Sequence, residues 1–325
     1  MNPKSLMFTM GMMTGFLCLH SLLNSMVSVE KVSVRKGALH ALAVHTEPSK
    51  KDNSAGGFPN STRILCWILT GPKYLESRTK HLKQTWTKHC HKVLYMSSVK
   101  TDFPTVGLNV SEGRENLYWK TIRAFQYIHQ HHMDEADWFL KADDDTYVVI
   151  ENLQYIVSKL DPGKPLYLGR RFRPFISQGY MSGGAGYVLS KEALRRFVNG
   201  FHTGECTHFS DIEDMALGSC MEKMKVEPVD TRDVKGRQTF HPFPLDHYVI
   251  RQLPRARPWH LLYDYYPPNE GPNCCSDFAV SFHYIYPVQQ YVLEYFTYHL
   301  RPYGYFYRYR PDESRYTNTT DNSSG

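Results

Sequence analysis

The sequence lacks several patterns that would indicate a nucleic-acid-binding, zinc-finger or dinucleotide-binding protein. No long run of Lys or Arg occurs in its 325 residues, and the net charge of +6 is spread along the chain, so nucleic-acid binding is not predicted. The cysteines do not show the Cys-x-x-Cys spacing of a zinc site, and there is no internal repeat. The glycines at 183–186 do not form G-x-G-x-x-G after a first strand, so they indicate a tight turn or close approach to a ligand.

Near its beginning the chain also lacks charge. Residues 6–29 contain no Asp, Glu, Lys or Arg and are long enough to cross a hydrocarbon layer of roughly 30 Å. This predicts a signal-anchor transmembrane helix after a cytoplasmic tail of residues 1–5. A cleaved signal peptide is the alternative, although its apolar run is usually about 7–15 residues. The charges flanking the span do not favour a lumenal C-terminus.

The cysteines and glycosylation sequons indicate the compartment better than the flanking charges do. Six cysteines lie outside the apolar span, an even number that predicts three disulfides in an oxidising lumen. They are Cys66, Cys90, Cys206, Cys220, Cys274 and Cys275. N-x-S/T sequons at Asn60, Asn109, Asn318 and Asn322 point the same way. We therefore expect the residues after the span to lie in the secretory lumen.

The rest of the chain divides by composition and periodicity. Residues 30–62 are polar and aperiodic and predict a lumenal stem, a folded domain occupies 63–310, and 311–325 form a disordered tail. Within the domain, the apolar runs "RILCWILTGP", "KVLYMSS" and "DWFLKA" predict buried strands. Helical spacing over 75–88 and 114–132 places helices between these strands. This alternation predicts an α/β fold with a mostly parallel sheet.

Three consecutive aspartates follow the strand "DWFLKA", at the end where such sheets bind ligands. In an extended chain Asp143 and Asp145 share a face, while Asp144 points away. Two such carboxylates suit Mg²⁺ or Mn²⁺ that neutralises a nucleotide diphosphate. A solvated acidic loop or a helix cap explains the triplet equally well. His283, in "AVSFHY", either adds a nitrogen ligand that favours Mn²⁺ or is a hydrogen-bonded structural residue.

A second acidic feature is the segment "FSDIEDMALG". Ser210 and Glu213 have the spacing of a capping box, which predicts that a helix begins here with Asp214 in its first turn. The Asp214 carboxylate is either a favourable charge at the helix N-terminus or a general base that removes a proton from an acceptor hydroxyl. A base opposite a metal-held leaving group would invert the reacting carbon.

Several sequence blocks occur in a recognisable order over about residues 62–311. They are "RILCWILTGP", "TWTKHC", "EGRENLYWKTIRAFQY", "DWFLKADDDTYVV", "GYMSGGAGYVLSKEAL", "IEDMALG", "EGPNCCSDFAVSFHY" and "HLRPYGY". Together they resemble the core 1 beta-1,3-galactosyltransferase group, or its close paralogues, in the beta-3-glycosyltransferase family. The resemblance implies a single GT-A domain with a Rossmann-like sheet in a type II Golgi membrane protein. It also implies Mn²⁺-dependent transfer of galactose from UDP-galactose to the 3-hydroxyl of GalNAc on Ser or Thr, forming the core 1 O-glycan.

The resemblance further implies roles for individual residues. The metal ligands would be Asp143, Asp145 and His283, and the base would be Asp214. The nucleotide-sugar site would comprise Met96, Glu112, Arg114, Lys141, Asp143, Tyr180, Gly184, Trp259, His283 and Tyr284. The disulfides would be Cys66–Cys90, Cys206–Cys220 and Cys274–Cys275. The partners would be UDP-galactose and GalNAc-Ser/Thr glycoproteins or glycopeptides, with a homodimer and a dedicated folding chaperone as further candidates.

Other functions remain open at this point. One relative in the family is a chaperone that has lost the acidic triplet, so a non-catalytic chaperone or binding paralogue is one alternative. The retained "DDD", "IED" and "SFHY" segments argue against it. A transferase with another acceptor is a second alternative, because "LPRARPWHLLYDYYPP" departs from the more aromatic run typical of the family. A Ca²⁺-dependent lectin is a third, although Ca²⁺ needs more oxygen ligands.

Overall fold

The computed structural model describes residues 62–250 and 262–304, which form an α/β fold around a mostly parallel sheet, as predicted. The strands are β1 Ile64–Leu69, β2 Lys92–Ser97, β3 Thr105–Gly107, β4 Trp138–Asp143, β5 Tyr147–Val148, β6 Leu166–Gly169, β7 Arg171–Phe172, β8 Tyr180–Met181, β9 Tyr187–Ser190, β10 Glu227–Pro228, β11 Phe240–His241 and β12 Ser281–Phe282. The α-helices are α1 Lys80–Gln84, α2 Leu117–His131, α3 Ile150–Val157, α4 Lys191–Thr203, α5 Glu213–Lys223, α6 Asp246–Val249 and α7 Pro287–Tyr298.

The main sheet has the strand order β10-β6-β9-β4-β1-β2-β3. Its pairs are parallel except those of β9, which runs antiparallel to both β4 and β6. This strand begins only at Tyr187, because the chain before it makes a turn in which the Gly186 N–H donates to the carbonyl of Gly183 over 3.0 Å. Gly186 has φ +75°, a backbone conformation that favours glycine. Because β9 is antiparallel, this glycine turn lies at the same edge of the sheet as the end of β4.

Alternate side chains of β1 enter two apolar layers, which is why the strand reads as a continuous apolar run. Leu65, Trp67 and Leu69 belong to a buried cluster shared with α2, α4 and α5 on one face. Ile64, Cys66 and Ile68 belong to another cluster, shared with α1 and α3. The two layers fix the strands from both sides and leave the carboxyl ends of β1 and β4 open for a site.

The prediction of a single helix over 75–88 is wrong. That segment instead contains three short helical pieces, namely a π-helical Leu75–Thr79, the α-helical Lys80–Gln84 and a 3₁₀-helical Trp86–His89. The hydroxyl of Thr85 donates to the carbonyl of His81 over 2.8 Å, and that of Thr87 donates to the carbonyl of Leu82 over 2.9 Å. Such side-chain donors compete with the backbone for helical carbonyls, so the helix breaks here.

A second, three-stranded sheet joins distant parts of the chain beside the aspartate triplet. Strand β5, just after the triplet, pairs antiparallel with β12, and β12 pairs parallel with β11. The N–H of Ile285 also donates to the carbonyl of Asp145 over 2.8 Å. These contacts bring the segment that carries His283 against the end of β4.

The three disulfides implied by the family resemblance are present. Cys66 in β1 is bonded to Cys90, and Cys206, which follows α4, is bonded to Cys220 in α5. The third bond joins the neighbours Cys274 and Cys275.

Several predictions concern residues outside 62–250 and 262–304. These are the cytoplasmic tail, the apolar span, nearly all of the stem, the C-terminal tail, Trp259 and the sequons at Asn60, Asn318 and Asn322. Within the described ranges, no helix has both the length and the hydrophobicity needed to cross a membrane. Asn109, the one predicted glycosylation site inside them, is exposed two residues after β3 in a left-handed backbone conformation with φ +54°.

His241 in the second sheet makes stability dependent on pH. Its side chain is fully buried, its Nδ1 donates to the carbonyl of Ser281 over 3.0 Å, and its ring stacks on Phe282. Burial lowers the pKa of His241 to about 3. An unfolded histidine has a pKa of about 6.5, so below that pH the unfolded chain binds a proton that the folded protein does not. This stabilisation is complete above pH 6.5 and is lost as the pH falls towards 3.

We expect His241 to lower the free energy of unfolding by about 2 kcal/mol between pH 7 and pH 5. Urea denaturation of the parent and of His241→Gln at both pH values measures this, and the variant should show a smaller pH-dependent loss. The control is His131→Gln, which changes an exposed histidine at the end of α2. Equal pH-dependent losses in the parent and in His241→Gln would contradict the assignment.

Candidate active site and metal centre

A cleft of about 600 Å³ opens at the carboxyl ends of β1 and β4. Leu69 and Asp143, the last residues of these strands, are paired in the parallel register and both line the cleft. Residues from eight separate parts of the chain meet there and include Arg114, Lys141, Asp143, Asp214, His283 and Tyr284. The site is therefore at the edge of the sheet where the sequence predicted it.

Asp143, Asp145 and His283 form a group that is able to hold a metal ion. One ligand atom from each lies within 4.8 Å of the others. The Nε2 atom of His283 is 3.1 Å from Oδ1 of Asp145 and 3.8 Å from Oδ2 of Asp143. All three side chains are partly buried, so they converge while remaining open to the cleft. Two carboxylates and an imidazole fit a divalent first-row ion such as Mn²⁺. The expected shared face of Asp143 and Asp145 is confirmed.

Asp144 points away from this group, as expected, and has protein partners. Its Oδ2 accepts a hydrogen bond from the Thr70 hydroxyl over 2.9 Å, and its Oδ1 accepts one from Arg78 over 3.0 Å. Burial raises the pKa of Asp144 to about 6, despite the opposing effect of Arg78. Arg78 also donates to Oδ2 of Asp145 over 3.1 Å. The guanidinium therefore offsets part of the repulsion between neighbouring carboxylates.

Gly184 lies directly against His283. A Cβ atom added to Gly184 would sit 2.2 Å from Nδ1 of the imidazole, a distance at which one of the two groups must move. The carbonyl of Gly184 accepts a hydrogen bond from the Thr146 hydroxyl over 2.9 Å, which ties the glycine turn to the triplet. Tyr284, with φ +58°, stacks on His283 with ring centroids 3.9 Å apart. Of the two predictions for these glycines, the tight turn is confirmed, and within that turn Gly184 also packs closely against a protein side chain.

Lys141 joins the metal-binding group to the glycine turn. Its ammonium is 2.6 Å from Oδ1 of Asp143 and donates to the carbonyl of Gly183 over 3.1 Å. Its side chain is only 2% exposed. Burial alone would lower the pKa of Lys141, but Asp143 and Glu213 outweigh it, and the pKa is raised. Lys141 is therefore a fixed positive charge at the base of the cleft.

Asp214 lies in the first turn of α5, as expected, and its carboxylate accepts two backbone hydrogen bonds. The N–H of Gly183 donates to Oδ2 over 3.0 Å, and the N–H of Met215 donates to Oδ1 over 2.9 Å. Burial raises the pKa of Asp214 although both bonds and Lys141 oppose the rise. A carboxylate that is harder to ionise is a stronger base once ionised. Asp214 is thus fixed in place and suited to remove a proton.

The capping box predicted at the start of this helix is wrong. Ser210 does not cap the N3 amide of α5; its hydroxyl accepts a hydrogen bond from the N–H of Ile212 over 3.2 Å. The Glu213 side chain does not return to the backbone of Ser210 either. It is buried, and its Oε1 accepts hydrogen bonds from the hydroxyls of Thr121 and Tyr187. Burial between α2 and β9 has overridden the local pattern.

The structure separates the predicted nucleotide-sugar residues into three groups. Those that line the cleft are Arg114, Lys141, Asp143, Gly184, His283 and Tyr284. The others described are Met96, buried at the end of β2, Glu112, bonded to Lys120 outside the cleft, and Tyr180, packed against Phe172. Trp259 lies outside the described residues. The nucleotide-binding roles of all these residues stay predictions.

The sequence did not indicate Arg78, Thr70 or Glu213 as part of the site. Arg78 lies 66 residues before Asp144, and Thr70 lies 74 residues before it, so no local pattern links them. For Thr70 the one available signal was its position, because it is the polar residue that ends the apolar run of β1.

Comparison with known proteins shows which families and relatives this chain is similar to. A family model described as Fringe-like matches residues 60–241. The chain is 53% identical over 264 residues to glycoprotein-N-acetylgalactosamine 3-beta-galactosyltransferase 1 of Xenopus laevis, covering 80% of this chain and 73% of the relative. It is 28% identical to the beta-1,3-glucosyltransferase of Mus musculus, covering 61% of this chain and 41% of the relative. A solved glycosyltransferase involved in the glycosylation of the major capsid of PBCV-1 aligns with 41% of this chain and 62% of its own, at 20% identity and TM-score 0.28.

Proposed function

Because the chain belongs to the Fringe-like family, we propose that it is a metal-dependent, inverting beta-1,3-galactosyltransferase. It transfers galactose from UDP-galactose to the 3-hydroxyl of GalNAc-α-Ser/Thr in glycoproteins. The observation that carries the proposal is that a metal-binding group and a fixed, basic carboxylate, Asp214, face one cleft. The chain is also a close relative of a GalNAc-glycoprotein galactosyltransferase. The mixed, mostly parallel sheet supports a GT-A fold.

Asp143, Asp145 and His283 would hold the ion, and their mixed oxygen and nitrogen donors favour Mn²⁺ over Mg²⁺. When bound there, the ion neutralises charge on the diphosphate leaving group. The buried ammonium of Lys141 adds a fixed positive charge beside Asp143. Such preorganised charge stabilises the departing UDP because it needs no rearrangement during the reaction.

The proposed bond changes place the base on the side opposite the leaving group. The acceptor 3-hydroxyl oxygen attacks C1 of galactose, and the C1–O bond to UDP breaks with its electron pair leaving on UDP. The hydroxyl proton passes to the carboxylate of Asp214. Attack from the face opposite UDP inverts C1 and gives a β-linked product.

The experiment that tests the proposal uses the full-length chain purified in detergent. It is incubated with UDP-galactose and a GalNAc-Ser/Thr peptide, once with Mn²⁺ and once with EDTA, and the same peptide without GalNAc is the control. We expect β1,3-linked galactose on the glycopeptide only with Mn²⁺. A chain that binds UDP but forms no product would indicate a different acceptor. A chain that does not bind UDP would favour the chaperone function.

We also propose that the protein is a single-pass type II protein of the Golgi membrane with its catalytic domain in the lumen. The charge-free span at 6–29 and three disulfides support this placement. Expression of the full-length chain in cells, followed by carbonate extraction and glycosidase digestion, tests it. A carbonate-soluble chain without N-glycans would contradict it.

A further inference from the structure

Glu213 is a buried carboxylate beside the cleft. The proposed reaction does not explain why it is there. It precedes Asp214 and is 8% exposed. Its Oε1 accepts hydrogen bonds from the hydroxyl of Thr121 in α2, over 2.8 Å, and from that of Tyr187 in β9, over 2.7 Å. Burial raises the pKa of Glu213, and Lys141 opposes the rise. Burying a carboxylate costs free energy that an apolar side chain would not, so core packing does not account for it.

The residue that connects Glu213 to the reacting groups is Gly183. Its N–H donates to Asp214 over 3.0 Å, and its carbonyl accepts a hydrogen bond from Lys141 over 3.1 Å. A Cβ atom added to Gly183 would lie 3.0 Å from Oε2 of Glu213 and 3.4 Å from Cβ of Asp214. The Glu213 carboxylate therefore packs closely against the residue whose peptide groups hold both Asp214 and Lys141.

Glu213 is also the first residue of α5, and Asp214 is the second. The N-cap residue of this helix is Ile212, whose side chain has no polar atom with which to cap it. The start of α5 is instead held by the two hydroxyls that bind the Glu213 carboxylate, one from α2 and one from β9. Tyr187 is in addition the register partner of Lys141 across β4 and β9. The position of Asp214 thus depends on contacts that Glu213 makes on the side facing the core.

We propose that Glu213 is a positioning residue for galactose transfer. Its carboxylate anchors the first turn of α5 to α2 and β9, and through Gly183 it fixes Asp214 at the distance from Lys141 that the reaction requires. This inference rests on the proposed function. Glu213 lines the cleft, but its hydrogen bonds go to Thr121 and Tyr187 and it does not belong to the metal-binding group. Its loss should therefore act on turnover and leave donor binding intact.

The decisive variant is Glu213→Gln in the full-length protein, because glutamine keeps the shape and an acceptor oxygen but removes the charge. Calorimetry with UDP and Mn²⁺ gives the number of UDP-binding sites and the Kd, and kcat is expressed per UDP-binding site. We expect kcat to fall about 10- to 100-fold, since small displacements of a reacting group have effects of this size. The Kd for UDP and the KM for UDP-galactose should stay within about threefold.

Glu294→Gln is the matched control. Glu294 is equally buried and accepts a hydrogen bond from the hydroxyl of Tyr147, but it belongs to α7 and does not line the cleft. Its replacement should leave kcat per UDP-binding site unchanged. If Glu213→Gln does not fold, Tyr187→Phe decides, because it keeps the charge and removes one anchoring hydroxyl; kcat should fall about 3- to 10-fold.

Two results would overturn the inference while the parent enzyme transfers galactose. One is a Glu213→Gln kcat within twofold of the parent, and the other is a loss of UDP affinity as large as the loss of kcat. A Tyr187→Phe variant with parental kcat would do the same where Glu213→Gln does not fold. Absence of transfer by the parent itself would instead count against the proposed function.

Discussion

Replacing Asp143 or Asp145 by asparagine is expected to lower galactose transfer at least about 1,000-fold and to remove metal-dependent UDP binding. Each change deletes one of the two anionic ligands that converge with His283. The stabilisation of a diphosphate leaving group by a bound ion amounts to several kcal/mol, which corresponds to a rate factor of that order. Transfer assays at increasing Mn²⁺, combined with calorimetry of UDP binding with and without Mn²⁺, measure both effects.

The two substitutions remove different contacts within the site. Asp143→Asn leaves Lys141 without its closest anionic partner, whereas Asp145→Asn removes one of the two carboxylates that Arg78 contacts. The control is Asp134→Asn, which makes the same chemical change at a fully exposed carboxylate. It should leave transfer unchanged. Metal-dependent UDP binding at parental affinity in either cleft variant would show that the metal group is assigned wrongly.

Asp214→Asn is expected to abolish turnover while UDP binding remains. General base catalysis contributes about 10²- to 10⁴-fold, and an amide cannot accept the proton. Asparagine can accept the hydrogen bond from only one of the two backbone N–H groups, from Gly183 and Met215, that Asp214 binds. Some loss of thermal stability should therefore accompany the change. Calorimetry with UDP and Mn²⁺ separates that loss from the loss of chemistry.

The pH dependence of the parent provides a second test of Asp214. A base acts in its deprotonated form, and burial raises the pKa of this carboxylate. Transfer should therefore decline with falling pH at a higher pH than an ordinary aspartate would give. Near-normal turnover in Asp214→Asn, at any pH, would assign the base to another residue.

The sequence predicted the part of the site that consists of local patterns. The end of an apolar run places Asp143 and Asp145 at the open edge of the sheet, and the two carboxylates converge as expected. The cause differs from the expected alternation in an extended chain, because β4 ends at Asp143 and a turn follows in which the Thr146 N–H donates to the Asp143 carbonyl over 3.1 Å. Both features depend on a short local segment, and for that reason the sequence could predict them. The proximity of His283 had no such basis, since it results from the pairing of β5 with β12.

The errors have physical causes as well. Helical spacing predicted one helix over 75–88, but the hydroxyls of Thr85 and Thr87 bond helical carbonyls and the segment divides into three short pieces. The spacing of Ser210 and Glu213 matched a capping box, but hydrogen bonds to two buried hydroxyls placed Glu213 in the core. Arg78 joins the site only through folding, because its partner Asp144 is 66 residues away.

The pairing of β5 with β12 also has a consequence for biosynthesis. A ribosome releases the triplet long before it releases Ser281–Phe282, so a nascent chain that ends in between has the two carboxylates without the imidazole. Its short strand β5 then also lacks the neighbour with which it pairs. The complete ligand set can exist only once nearly all of the described chain has emerged. A protein truncated before β12 would therefore retain the aspartate triplet yet lack the imidazole of the candidate metal-binding group.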